Sequence, residues 1–255
     1  MININLDILQ TFLNQNDIPK IKGKPKTFLG IAKQPHYENV LSNIYAFYFK
    51  VNEVHRFKDL FITSLLACIK SKIGKQKEAL QSFYDFRVDT EYTTNKGGRI
   101  DILLSNDEQA IIIENKVNHH IKDNDLDDYW TTVKIETNEN ENKIGIILSL
   151  HPIAESLYNG FEHSKHYINI THLELLQEVM RNSGNYVMEA SDKYYFFLKD
   201  LNQNITNISK SYMEEKDLAF YFKNLQEINQ LAAFKFSVRK HIATEIEKAG
   251  LALTD

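Results

Sequence analysis

The stretch "GGRIDILLSNDEQAIIIENKV", residues 97–117, sets Asp101, Glu114 and Lys116 among isoleucines and leucines. Two apolar runs flank the polar turn "SNDEQ", the pattern of an antiparallel hairpin. Side chains alternate faces along a strand, so Glu114 and Lys116 share one face while Ile113 and Val117 take the other. Folding the hairpin about Asp107 brings Asp101 opposite Ile113 or Glu114, according to the turn type. In the second register two carboxylates stand across from each other with Cβ atoms about 5 Å apart. Such a pair repels, and a buried ionisable group left without a partner costs roughly several kcal/mol. A hard divalent cation between the carboxylate oxygens, with the Lys116 ammonium alongside, removes the conflict. Glu-x-Lys spacing alone is not selective. It recurs at Glu141–Lys143 and Glu214–Lys216, but neither copy follows an apolar strand or has an acid across a hairpin.

The elements that must position these residues are readable from periodicity. "LDILQTFLNQN" reads as a short opening helix, and Lys20 to Gly30 as a loop rich in Pro, Gly and Lys. "YENVLSNIYAFYFK" and "FKDLFITSLLACIK" carry apolar residues at helical spacing, with a third helical piece over Lys75 to Phe83. "FRVDTEYTT", "RIDILLS", "AIIIENKV", "KIGIILSL" and the edge run "HYINI" read as strands. A helix is expected between the third and fourth strands, around Leu126, Tyr129 and Trp130, followed by a polar loop "NENENK". Thr171 and Glu174 have the spacing of a capping box ahead of a helix, and the rest of the chain reads as amphipathic helices ending at Gly250. The fold class is therefore α/β, with a C-terminal helical layer.

Composition bounds the alternatives. The 255 residues are 43% hydrophobic and 25% charged, enough for a sizeable core. No apolar run approaches the ~18 residues of a membrane span, and "MININLDILQ" lacks a secretory pattern. The single cysteine, Cys68, sits in an apolar run and reads as a buried small hydrophobe, so a cytoplasmic setting is expected. A net charge of −4 argues against bulk attraction to nucleic acid, but lysines cluster in "PKIKGKPK" and "KSKIGKQK". The nine histidines show no metal-ligand spacing, with His119 and His120 merely adjacent on a loop. No phosphate-cradling glycine loop and no Gly-x-Ser-x-Gly elbow occurs.

"RID" followed by "IIIENK", in a helix-strand-strand-strand-helix-strand order, resembles the PD-(D/E)XK nuclease superfamily. The resemblance puts Asp101 at the lone-acid position and Glu114-Asn115-Lys116 at the (D/E)XK position. Upstream, "HYENVLSNIYAFYF" and "HRFKDLFITSLL" are similar to the amino-terminal helices of a bacterial subgroup, which places Glu38 as a metal-proximal acid. The similarity implies a restriction-endonuclease-like core over residues 1–175, a central mixed sheet flanked by helices. Residues 176–255 are then a helical extension packed on that core. One departure stands out. Where relatives carry Gln-Leu and then a Tyr, this chain reads "NDLDDYW", with Asp125 in place of the glutamine beside Leu126 and Tyr129. The acids Asp123, Asp125, Asp127 and Asp128 read as a solvated helix face.

The resemblance implies phosphodiester hydrolysis with Mg²⁺, for which Mn²⁺ can substitute, on DNA in preference to RNA. Asp101, Glu114 and the backbone carbonyl of Asn115 would hold the ion, with Glu38 completing the shell or holding a second one. Lys116, beside two carboxylates, keeps its proton and serves positioning and charge stabilisation rather than base catalysis. Lys22, Lys24, Lys26, Lys72 and Lys75 are the candidate backbone contacts. A non-catalytic descendant that kept the fold to bind or regulate is the rival reading, and a homo-oligomer or regulatory partner is compatible with either.

Overall fold

The computed structural model describes residues 5–18, 23–74, 80, 82–117, 124–210 and 215–252. It divides into two compact units, residues 25–210 and residues 1–24 with 211–255.

In the larger unit, the short helix α2 (Phe28–Ile31; α1 belongs to the smaller unit) precedes the helices α3 (Glu38–Phe49) and α4 (Leu60–Ile73). Three strands follow, β1 (Arg87–Thr93), β2 (Arg99–Ser105) and β3 (Ala110–Lys116). The helix α5 (Leu126–Thr132) and the single turn α6 (Glu139–Asn142) lead into β4 (Lys143–Ser149) and β5 (Tyr167–Thr171). The helices α7 (His172–Asn182) and α8 (Asp192–Ser209) complete the unit. The strands form one mixed sheet in sequence order, antiparallel from β1 to β3 and parallel from β3 to β5. This is a restriction-endonuclease-like α/β architecture.

The sheet is covered on both faces. Even-numbered Ile102 and Leu104 of β2 and odd-numbered Ile111 and Ile113 of β3 point at the layer that contains α3, α4, α7 and α8. Leu103 and Ile112 point the other way, at Leu126, Tyr129 and Trp130 of α5. All seven residues of β3 are buried, as expected where a strand takes a parallel neighbour and is roofed on both sides. The aromatics of "YAFYF" fill the first layer, with Tyr45, Tyr48 and Phe49 fully enclosed and Tyr48 stacked on Phe61 at 4.8 Å. Cys68 is a buried free thiol.

The expectation of a plain polar loop before β4 needs correction. "NENENK" is not a plain loop: Asn138 accepts from the Asn140 N–H, and the Glu139 carboxylate meets the Lys143 ammonium at 2.8 Å, which closes the turn α6. A cut at 175/176 falls inside α7, between Leu175 and Leu176, both wholly buried in the layer over the sheet. The helical piece expected over Lys75 to Phe83 lies mostly outside the described residues. The capping box at Thr171 and Glu174 is present with both of its hydrogen bonds.

The smaller unit contains α1 (Leu6–Gln15), α9 (Glu215–Lys223) and α10 (Leu225–Ala252), with the Phe12 ring 6.2 Å from that of Phe220. The last helix runs past Gly250. Among the described residues, no helix is long and apolar enough to cross a membrane.

Candidate active site

The β2–β3 ladder pairs Ile102 with Ile113 and Ser105 with Ala110. Continued by one residue, that register sets Asp101 against Glu114, the arrangement in which the carboxylates face each other. The last backbone pair is not formed as a ladder rung. Instead Asp101 Oδ2 accepts the Asn115 N–H at 2.7 Å, so the side chain does the work of a strand neighbour. On the other side of β2, Glu91 occupies the corresponding place in β1, unpaired between Thr90 and Tyr92, with φ at 53°. A left-handed glutamate in mid-strand is a strained conformation of the kind found at functional sites. Its carboxylate meets Arg99 at 2.9 Å.

Glu114 is almost completely buried. Its Oε1 accepts from Lys116 Nζ at 2.8 Å and from Asn124 Nδ2 at 2.7 Å, while Oε2 is buried with no hydrogen-bond partner among the described residues. Lys116 reaches Glu38 Oε2 at 3.9 Å, and Glu38 Oε1 accepts the Val117 N–H at 2.6 Å. Asn115, between the two motif residues, points to the opposite face. Its Nδ2 donates to the Glu38 carbonyl and to Ser42 Oγ, which fastens the first turn of α3 to the end of β3. Alternation along one strand thus builds two structures at once, a charged site in front and an anchor for Glu38 behind.

Electrostatics follow from enclosure. Burial raises the Asp101 carboxyl to about 6, against the pull of the Asn115 N–H and Lys116. Burial first, and then the neighbouring Asp101, push Glu114 up to about 8. Burial disfavours the Lys116 charge, but Glu114, Glu38 and Asp101 outweigh it and hold the ammonium above its ordinary range. The lysine therefore stays protonated, a donor rather than a base.

Two carboxyls that hold protons too tightly, one with a bare buried oxygen, form a donor set suited to a hard cation. Among the described residues, no three His, Cys, Asp or Glu side chains converge on one ion. Asp101 and Glu114 set carboxylate oxygens on adjoining strands, the ligand type that hard divalent cations take. Glu38 accepts the Val117 N–H and lies within ion-pair distance of Lys116, at the edge of the same site.

A family model described as the PD-(D/E)XK nuclease superfamily matches residues 27–217, more than half of the chain. The chain belongs to the PD-(D/E)XK nuclease superfamily. Comparison with curated proteins and with solved structures returns no significant match. Asp101 and Glu114-Asn115-Lys116 lie within the stretch that matches the superfamily, together with the whole sheet and α2 to α8. Membership points to a metal-dependent nuclease.

The remaining sequence-level candidates fare differently. Lys22, Lys75, His119, His120 and Asp123 lie outside the described residues. Lys72 is in an ion pair with Glu174 at 2.7 Å, so its charge is already answered within the helical layer. Lys26 is exposed ahead of α2, and Lys24 falls in the smaller unit. The acidic stretch is not a merely solvated face. Asp125 caps α5 by accepting the Asp128 N–H and pairs with Lys96 at 2.7 Å. Asp127 accepts the backbone N–H groups of Glu162 and His163, and Asp128 is buried beside Thr132. Asn124 escaped sequence reasoning, although an amide next to a helix cap and close behind the (D/E)XK strand was a signal to pursue.

Proposed function

We propose that this chain is a Mg²⁺-dependent nuclease, with Mn²⁺ as a substitute, that hydrolyses phosphodiester bonds in DNA in preference to RNA. The observation that carries the reading is the buried Glu114 Oε2, without a hydrogen-bond partner among the described residues, in the register that faces Asp101. Asp101, Glu114 and the Asn115 carbonyl are the residues to hold the ion, with Glu38 completing the shell or holding a second one. When bound, the cation supplies positive charge against the phosphate and makes water more acidic. Lys116, protonated and braced by Glu114 and Glu38, donates to the incoming water or to a phosphate oxygen and offsets the charge that grows there. In hydrolysis the water oxygen bonds to phosphorus, the ester P–O bond breaks, and the departing oxygen ends as a hydroxyl. Lys24 and Lys26, the described lysines of the basic loop, and Lys72, half-exposed beside Glu174, are the described candidates to meet backbone phosphates.

The test is direct. Purified protein is incubated with supercoiled, linear and single-stranded DNA and with RNA, in Mg²⁺, in Mn²⁺ and in chelator. Cleavage that needs the cation and vanishes in Asp101→Ala supports the reading. Binding of nucleic acid with no cleavage under any condition selects the non-catalytic alternative.

A further inference from the structure

We infer that Asn124 is a positioning residue of this site, which fixes Glu114 so that one carboxylate oxygen is kept for the cation; the inference rests on the nuclease reading above. Its Nδ2 donates to Glu114 Oε1 at 2.7 Å and to the Tyr129 hydroxyl oxygen at 2.9 Å. An amide nitrogen has two protons, and both are used. The Lys116 ammonium donates to the same Oε1, so that oxygen acts as an acceptor and the amide must offer it nitrogen rather than oxygen. With two donors on Oε1 the carboxylate cannot turn freely, and Oε2 is left bare in the interior.

The local fold holds Asn124 in place. It precedes Asp125, which caps α5 and is tied to Lys96, while Tyr129 lies one turn further along the same helix. The Tyr167 hydroxyl donates to the Leu126 carbonyl and pins the start of that helix to β5. Burying a carboxylate oxygen without a donor costs free energy unless something positive meets it. A neutral amide is suited to the task because it orients the acid without adding charge that would compete with the cation. Residues that hold a metal's ligands in this way are worth roughly 10- to 100-fold in metal affinity or activity. Asn124 Oδ1 is itself buried with no partner among the described residues.

The experiment titrates Mn²⁺ calorimetrically into the full chain and its variants, alongside the melting temperature of each metal-free protein. Asn124→Ala is expected to weaken Mn²⁺ about 10- to 100-fold, with the metal-free melt little changed. Asn124→Gln, which keeps the donor on a longer arm, should recover part of that loss. Tyr129→Phe removes only the hydroxyl that steadies the amide and should weaken Mn²⁺ in the same direction by less, which covers the case of a poorly folding alanine variant. If Asn124→Ala and Tyr129→Phe bind Mn²⁺ like the parent while Asp101→Ala does not bind it, the inference about Asn124 fails and the nuclease reading stands. If the parent itself binds no Mn²⁺, both fall.

Discussion

At the scale of single residues, Lys116 and Glu114 make opposite demands on the site. The ammonium answers Glu114 Oε1 and the Glu38 carboxylate, but it also competes with any cation for the same negative charge. Lys116→Ala is therefore expected to lower kcat by about 10²- to 10³-fold, the scale of removing one donor from a developing charge. Mn²⁺ affinity, measured by titration calorimetry, should stay equal or rise. A general base would show a different signature, with activity recovered at high pH, which the raised ammonium makes inaccessible. Asp101 and Glu114, held up to about 6 and about 8 by burial, keep protons in the folded chain that the unfolded chain has already released. Their contribution to stability is full at acid pH, below the ordinary carboxylate range, and is lost as pH rises through about 6 and then about 8. Melting of the metal-free protein is expected to drop across that window, and Mn²⁺ to restore it. Glu114→Gln should raise the metal-free melting temperature at pH 8 while it abolishes the Mn²⁺ response.

At the scale of elements, the strand that carries the candidate site was legible and its surroundings were not. A period of two along "RIDILLS" and "AIIIENK", joined by a polar turn, brings Asp101 opposite Ile113 or Glu114, and the ladder in the structure selects the register that faces Glu114. Asn124 was hidden for a physical reason. Its contact to Glu114 runs through a side chain whose placement depends on a neighbouring element, and it leaves no period in the chain. The aspartates of α5 misled for the same reason, since a cap and a solvated acid look alike until the N–H groups they accept are placed. The packing of α5 against the sheet also depends on a glycine. A Cβ on Gly145 of β4 would lie 2.2 Å from Cδ1 of the Tyr167 ring, whose hydroxyl holds Leu126. Gly145→Ala is thus expected to destabilise the fold by about 1–3 kcal/mol in urea unfolding, the usual cost of overpacking. It should also reduce cleavage beyond what unfolding explains, because the displaced tyrosine loosens the segment that carries Asn124.

At the scale of the whole molecule, a mixed sheet with helices on both faces was legible from the order of periods, whereas the compact units were not. Residues 25–210 close on themselves through contacts such as Thr27 to Asn204 and Asn207 to the Pro25 carbonyl, pairs more than 170 positions apart in the chain that no local pattern announces. Within that unit the charged site is mounted on β3, in the middle of the sheet, with β2 and β4 on either side and every residue enclosed. The amides of that strand should exchange with deuterium later than those of β1 and β5, at a rate set by global rather than local opening. Exchange followed by mass spectrometry checks this, and faster labelling of residues 110–116 than of the sheet margins would contradict it. Warming such a protein should leave no native-looking form without its charged site: the candidate site and the sheet disassemble in a single event, since the one is bolted to the last part of the other to come apart.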